Sequence, residues 1–150
     1  MGISDIDRID KILCDIDGTD KVNEMKKYIQ HGQISTYDHC MSVVKCSYKI
    51  NKRLKLKANE DTLLKGAMLH DFYLYDWHED SDDHKWHGYH HAEAASRNAK
   101  KYFDVDEKTM HVIYSHMWPL NITRVPKSRE AWIVCMADKY CSIVETLFKR

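Results

Sequence analysis

The sequence predicts an all-α fold: a single bundle of about six to seven helices spanning residues 1–150. Three observations carry that expectation. Breakers are scarce, with 5 Gly and 2 Pro in 150 residues, which favours long helices over a strand-and-turn architecture. Apolar residues recur at helical spacing in one segment after another, and no stretch alternates for more than a few residues. The length fits one domain and can bury roughly 70% of the unfolded surface. A 43% apolar composition is enough to fill such a core.

The elements follow in order. An N-terminal helical segment (1–30) precedes a core of 31–148. Residues 21–31 (KVNEMKKYIQH) read as a short helix ending before Gly32. Residues 36–56 follow, with Tyr37, Cys40, Met41, Val44 and Tyr48 at helical spacing and Ser35 or Thr36 as N-cap. Asn59 or Asp61 can cap a third helix that turns Leu63, Leu64, Ala67 and Met68 inward. The stretch 76–90 has no periodicity and reads as a loop. Ala92, Ala95, Ala99, Tyr102 and Phe103 mark the next helix. Residues 106–118 form another, capped by Asp104 or Asp106 and stopped by Pro119, and a last helix starts near Ser128. No internal repeat, low-complexity tract or interdomain linker interrupts them.

Bulk properties exclude several classes. Lys+Arg and Asp+Glu are both 23, so net charge is zero. Nothing electrostatic favours long nucleic acid or an anionic membrane as partner. The acidic N-terminus lacks the apolar core of a signal peptide. The longest apolar run, Ala131–Ala137, falls far short of the ~20 residues needed to span a bilayer. Five Cys without a Cys-x-x-Cys pair fit reduced core residues of a cytoplasmic protein and argue against cysteine-rich structural zinc.

The chemistry lies in an ordered set: His39, His70-Asp71, His91, His116 and Asp138. Each falls on a predicted helix. His70 shares a face with Leu63 and Ala67, His116 with Val112 and Ile113, and Asp138 follows Ala131, Val134 and Cys135. One inward His is ordinarily a hydrogen-bonded core residue. Four His and two carboxylates on inward faces need another account, because a buried carboxylate is costly unless paired or bound to metal. Mixed imidazole and carboxylate ligands suit Fe, Mn, Co, Ni or Zn. Six ligands with one central Asp fit two divalent ions roughly 3.5–4 Å apart, bridged by Asp71, activating a water for phosphoryl displacement.

His39, His70-Asp71 and Asp138 form an H…HD…D pattern that resembles the signature of the HD superfamily of metal-dependent phosphohydrolases. His91 and His116, lying between doublet and last Asp, are similar to its binuclear subgroup, which includes some nucleotide phosphodiesterases and diadenosine tetraphosphate hydrolases. His91-x-x-x-Ala95 is similar to the family's His-x-x-x-small motif. The resemblance covers roughly residues 31–148. It implies an all-α HD-type domain that hydrolyses a phosphate ester or anhydride of a nucleotide-like small molecule. It also implies a pair of transition-metal ions, with Fe or Mn favoured, and a catalytic role for Asp71 and His70. Two departures stand out. Phe72-Tyr73-Leu74 replaces the common Ile-Gly-Lys, removing a Lys credited with touching substrate. Gly88-Tyr89 is followed by His90, not by the Pro of the cyclic-dinucleotide enzymes.

Other residues carry weaker expectations. His87, His90, Arg124, Lys127 and Lys139 are candidates for contacting an anionic substrate, against the plainer alternative of solvated loop charge. Trp77, Trp86 and Tyr89 make the segment 78–91 and its neighbours a candidate lid or base-stacking surface, or a loop packed on the bundle, with His78 and His84 facing solvent. Lys11-Ile12-Leu13-Cys14-Asp15-Ile16-Asp17-Gly18-Thr19 resembles the haloacid-dehalogenase phosphatase signature. The helical remainder supplies no parallel sheet for it, so a loop between two N-terminal helices is expected. Two rivals remain open: a non-catalytic module that binds a nucleotide or senses metal, and a mononuclear site using only His39, His70, Asp71 and Asp138.

Overall fold

A computed structural model describes residues 1–75 and 87–148, with the His87 side chain excepted. Seven α-helices and one short hairpin make up the described chain. Helix α1 (Ile3–Leu13) buries Ile9 and Leu13 against α4 (Glu60–Leu69). The turn after it adds Ile16 to the core and uses its aspartates locally. Asp17 accepts the Tyr37 hydroxyl at 2.9 Å, Gly18 takes φ +80°, and Thr19 caps α2 (Asp20–Glu24) by accepting from the Val22 N–H. The Asp15–Thr19 segment is thus the helix-linking turn expected.

The helix expected over 21–31 is shorter than its pattern. It ends at Glu24, adds one 3-10 turn (Met25–Lys27), and gives way to β1 (Ile29–His31). β1 pairs antiparallel with β2 (Ile34–Ser35). Gly32 turns the chain at φ +57°, a conformation open to Gly without steric cost. The Thr36 N–H adds a rung by donating to the Tyr28 carbonyl at 2.8 Å. The hairpin matters because it carries Gln30 and His31.

The remaining helices are α3 (Thr36–Arg53), α4, α5 (His87–Phe103), α6 (Glu107–Ser115) and α7 (Arg129–Phe148). Their caps resolve the alternatives: Ser35 accepts from Asp38 N–H, Asn59 from Thr62 N–H, and Asp106 from Thr109 N–H. Each satisfies a backbone donor that the first helical turn leaves unpaired. Helix α3 stops short of residue 56, because Lys55 adopts φ +51° and the Leu56 N–H returns to the Asn51 carbonyl. Helix α6 stops at Ser115, short of residue 118, since Trp118 precedes Pro119 and that position disfavours helix. Helix α5 takes in residues 87–90 of the expected loop. His78, His84, Trp77 and Trp86 lie outside the described residues.

Helices α3, α4 and α7 pack on one another, α6 packs on α4 and α7, and α5 on α6. Val43, Val44, Leu63, Leu64, Met68, Phe72, Val112, Ile113 and Val134 fill the space between them. Each large apolar side chain buried there contributes roughly 1.5–3 kcal/mol. All five cysteines are free, and Cys40, Cys135 and Cys141 are buried. Among the described residues no helix is long and apolar enough to cross a membrane.

The close approach of α4 to α6 depends on Gly66. A Cβ there would lie 2.5 Å from Val112 Cγ1 and 3.0 Å from Val112 Cβ. Gly66→Ala is expected to lower the melting temperature: overpacking costs about 1–3 kcal/mol, only partly offset by the roughly 1 kcal/mol helix-propensity gain. The double variant Gly66→Ala/Val112→Ala should recover much of the loss. Additive losses in thermal melts would refute the contact.

Candidate metal centre

Two of the imidazoles are aimed by the same device. His70 is the C-cap of α4 and His116 the C-cap of α6. The last turn of a helix leaves carbonyls without intrahelical partners. His70 Nδ1 donates to the Ala67 carbonyl at 2.6 Å, and His116 Nδ1 donates to the Ile113 carbonyl at 2.6 Å. Each bond fixes the tautomer and turns the Nε2 lone pair inward. The negative ends of two helices also favour positive charge nearby. His39, early in α3, reaches in from the other side, and α7 contributes Asp138.

The result is two clusters joined by one carboxylate. In the first, Asp71 Oδ2 lies 3.6 Å from His39 Nε2 and 3.3 Å from His70 Nε2. Asp138 Oδ1 lies 2.9 Å from His39 Nε2 and 3.4 Å from His70 Nε2. In the second, Asp71 Oδ1 lies 3.2 Å from His91 Nε2 and 3.3 Å from His116 Nε2, and those two nitrogens are 3.0 Å apart. Each cluster brings ligand atoms within 4.8 Å of one another. All six residues are buried.

The donor set fits divalent ions. His70 Nε2 and Asp71 Oδ1 are buried without a hydrogen-bond partner among the described residues. Such atoms are expensive to leave unsatisfied, and both point into the clusters. Imidazole and carboxylate donors with no thiolate suit Fe, Mn, Co, Ni or Zn.

In the metal-free chain, protons hold the site together. Burial alone would lower the His39 pKa, but Asp138, Glu145 and Asp71 outweigh it and push it up to about 10. Burial likewise works against the His70 imidazolium, yet the Asp71 charge holds its pKa well above the usual range. Burial would raise both aspartates. The His70 charge instead keeps Asp71 well below the usual carboxylate range, and His39 and His70 do the same for Asp138. His116 goes the other way: burial lowers its pKa, leaving it neutral and ready to ligate.

The clusters open onto a cleft of about 1080 Å³. Gln30, His31 and Lys139 give it polar edges, and Met117, Pro119, Leu120 and Ile143 form an apolar wall. Of the residues expected to touch substrate, Lys139 lines this cleft. Its Nζ donates to the His116 carbonyl at 3.0 Å, so it also braces the end of α6. Arg124 turns aside, 3.6 Å from Glu93 and stacked over Tyr114 at 4.1 Å. Lys127 is exposed, and its backbone N–H donates to His111. His90 is exposed, one position off the inward face that carries His91. The His87 side chain lies outside the described set.

Three further residues reach the site. Gln30 Nε2 donates to Asp71 Oδ2 at 2.8 Å, while its Oε1 accepts from the Tyr73 hydroxyl at 2.7 Å. Glu145 Oε2 accepts from His39 Nδ1 at 2.7 Å. His31 packs edge-on against His39, ring centres 5.4 Å apart. Glu145 left a trace in the sequence: Asp138, Ser142 and Glu145 lie on one helical stripe. Gln30 and His31 left none, since the hairpin that delivers them is too short to alternate.

The HD domain family model matches residues 36–143, a span that contains all six clustered residues. No curated protein and no solved structure matches the chain.

Proposed function

The chain belongs to the HD domain family, and from that premise we propose that it hydrolyses a phosphate ester or anhydride of a nucleotide-like small molecule with two divalent ions, Fe or Mn favoured. The observation that carries this reading is the division of Asp71, whose Oδ2 faces His39, His70 and Asp138 while its Oδ1 faces His91 and His116. Ions held in the two pockets would supply a water of lowered pKa and neutralise charge developing on the phosphoryl oxygens.

The protein supplies the rest. Gln30 pins Asp71 Oδ2, and with it the spacing of the pockets. The carbonyls of Ala67 and Ile113 hold His70 and His116 in the ligating tautomer. The wall of Met117, Pro119, Leu120 and Ile143 can seat an organic group such as a base. Lys139 stands at the cleft as a counter-charge for phosphate. Absence of a Lys after the doublet favours the second reading, a module that binds nucleotides without turning them over.

The test pairs metal content per chain with turnover of phosphomonoesters, phosphodiesters and dinucleoside polyphosphates. Two ions with turnover support the proposal. Nucleotide binding with no turnover on any substrate supports the module. His91→Ala separates one ion from two: loss of one ion with at least about a hundredfold drop in kcat, some 2.7 kcal/mol at 1.36 kcal/mol per decade, is expected. Undiminished turnover in that variant would establish a mononuclear enzyme.

A further inference from the structure

Glu145 is buried, 2% exposed, and outside the six-residue set. Its Oε2 accepts the His39 Nδ1 proton at 2.7 Å, and its Oε1 is buried with no hydrogen-bond partner among the described residues. Burying a carboxylate with one oxygen unsatisfied is unfavourable, so it calls for a reason. His70 and His116 each place Nδ1 on a neutral backbone carbonyl, whereas His39 places it on a carboxylate. A carboxylate on the far nitrogen makes Nε2 a more basic ligand and fixes the ring's direction.

The two pockets also differ in composition. His39, His70, Asp71 and Asp138 provide four ligands, two of them carboxylates. Asp71, His91 and His116 provide three, with the one carboxylate shared. We propose that Glu145 is a positioning residue for His39, and that it makes the four-ligand pocket the tighter of the two, so that it fills first and the His91–His116 pocket fills second. This rests on the two-ion reading above. Helix α7 thereby acts twice on the first pocket, through Asp138 directly and through Glu145 by way of His39. The second pocket is left as the exchangeable one.

His31, His39 and Glu145 also offer atoms within 4.8 Å of one another. An ion held there would need His39 to give up its Nδ1 proton and ligate through both nitrogens. The 2.7 Å bond to Glu145 argues for a proton in that place.

The test is a titration of the metal-free full chain with Mn2+, followed by calorimetry and, with diamagnetic Zn2+, by imidazole 15N resonances. Two binding steps are expected, with His39 and His70 responding to the first equivalent and His91 and His116 to the second. Glu145→Gln keeps an acceptor of the same shape and removes the charge. It should weaken the first step about 10–100-fold, leave the second unchanged, and move the His39 Nδ1–H proton resonance upfield. His91 and His116 responding first would overturn the proposal in the wild-type chain, whether or not the variant folds. So would wild-type affinity in Glu145→Gln, or a third equivalent lost in both His31→Ala and Glu145→Gln. Unchanged metal binding in Glu145→Gln sinks this inference and leaves the phosphohydrolase reading standing. Ordered loading without turnover on any substrate sinks the phosphohydrolase reading alone.

Discussion

Asp71→Ala is expected to abolish turnover and to empty at least one metal pocket, while most helix content remains. Asp71 is the residue that faces both clusters, one oxygen each, so no other single change removes a donor from both. If bridging sets the distance between the ions, its loss removes the alignment and charge neutralisation that each ion would supply, several kcal/mol of the barrier. A drop of at least about 10³-fold in kcat corresponds to roughly 4 kcal/mol. The helices should survive, because Asp71 follows the end of α4 and the substitution leaves its backbone in place. Deleting it leaves the His70 imidazolium without its nearest counter-charge, and that group can release its proton rather than remain charged in a buried site. Circular dichroism with metal content separates the two effects. Full turnover in Asp71→Ala would end the mechanism, while lost turnover with two ions still bound would remove Asp71 from the bridging role.

The parts of this site that the sequence made legible are those governed by helical periodicity. His70, His116 and Asp138 sit on stripes shared with Leu63, Val112 and Val134, so burial of the stripe carries the candidate ligand with it. The doublet exploits a helix end: His70 closes α4 and Asp71 begins the exit, which lets adjacent residues both face inward when two neighbours within a helix would diverge by about 100°. That end was not foreseen, nor was the identical exit at His116. Both depend on a side chain folding back onto its own helix, which periodicity does not register. The hairpin was missed for a different reason. KVNEMKKYIQH has the composition of a helix, and tertiary contact overrides that preference, with Thr36 and Tyr73 gathering Gln30. Glu145 was visible in principle, in line with Asp138, but a single Glu near a C-terminus is ordinarily solvated. Only its contact with His39 changes that reading.

Metal-free protein should lose stability as pH rises above 6.5, and metal-loaded protein should not. In the metal-free chain His39 has its pKa raised from 6.5 to about 10, and His70 is raised as well. A raised folded pKa gives stability that is fully present below the unfolded value and lost as pH climbs through the folded one. The metal-free melting temperature should therefore fall between pH 6.5 and about 10 on account of these groups. Asp71 and Asp138 are depressed from 3.8, so their contribution is present above that value and lost as pH falls below it. Ions compete with the imidazole protons, and loading must expel them. With His39 and His70 protonated and His116 neutral, binding should release about two protons per chain near pH 7. Affinity should then climb with pH, and the gap in melting temperature between loaded and metal-free protein should widen from pH 6.5 upward. On the acid side the same competition strips the site, and turnover collapses below the histidine range. Calorimetry in buffers of different ionisation enthalpy counts the protons, and paired melts measure the gap. A gap that stays constant from pH 6.5 to 9, with no proton released, would mean that the ions do not bind through His39 and His70.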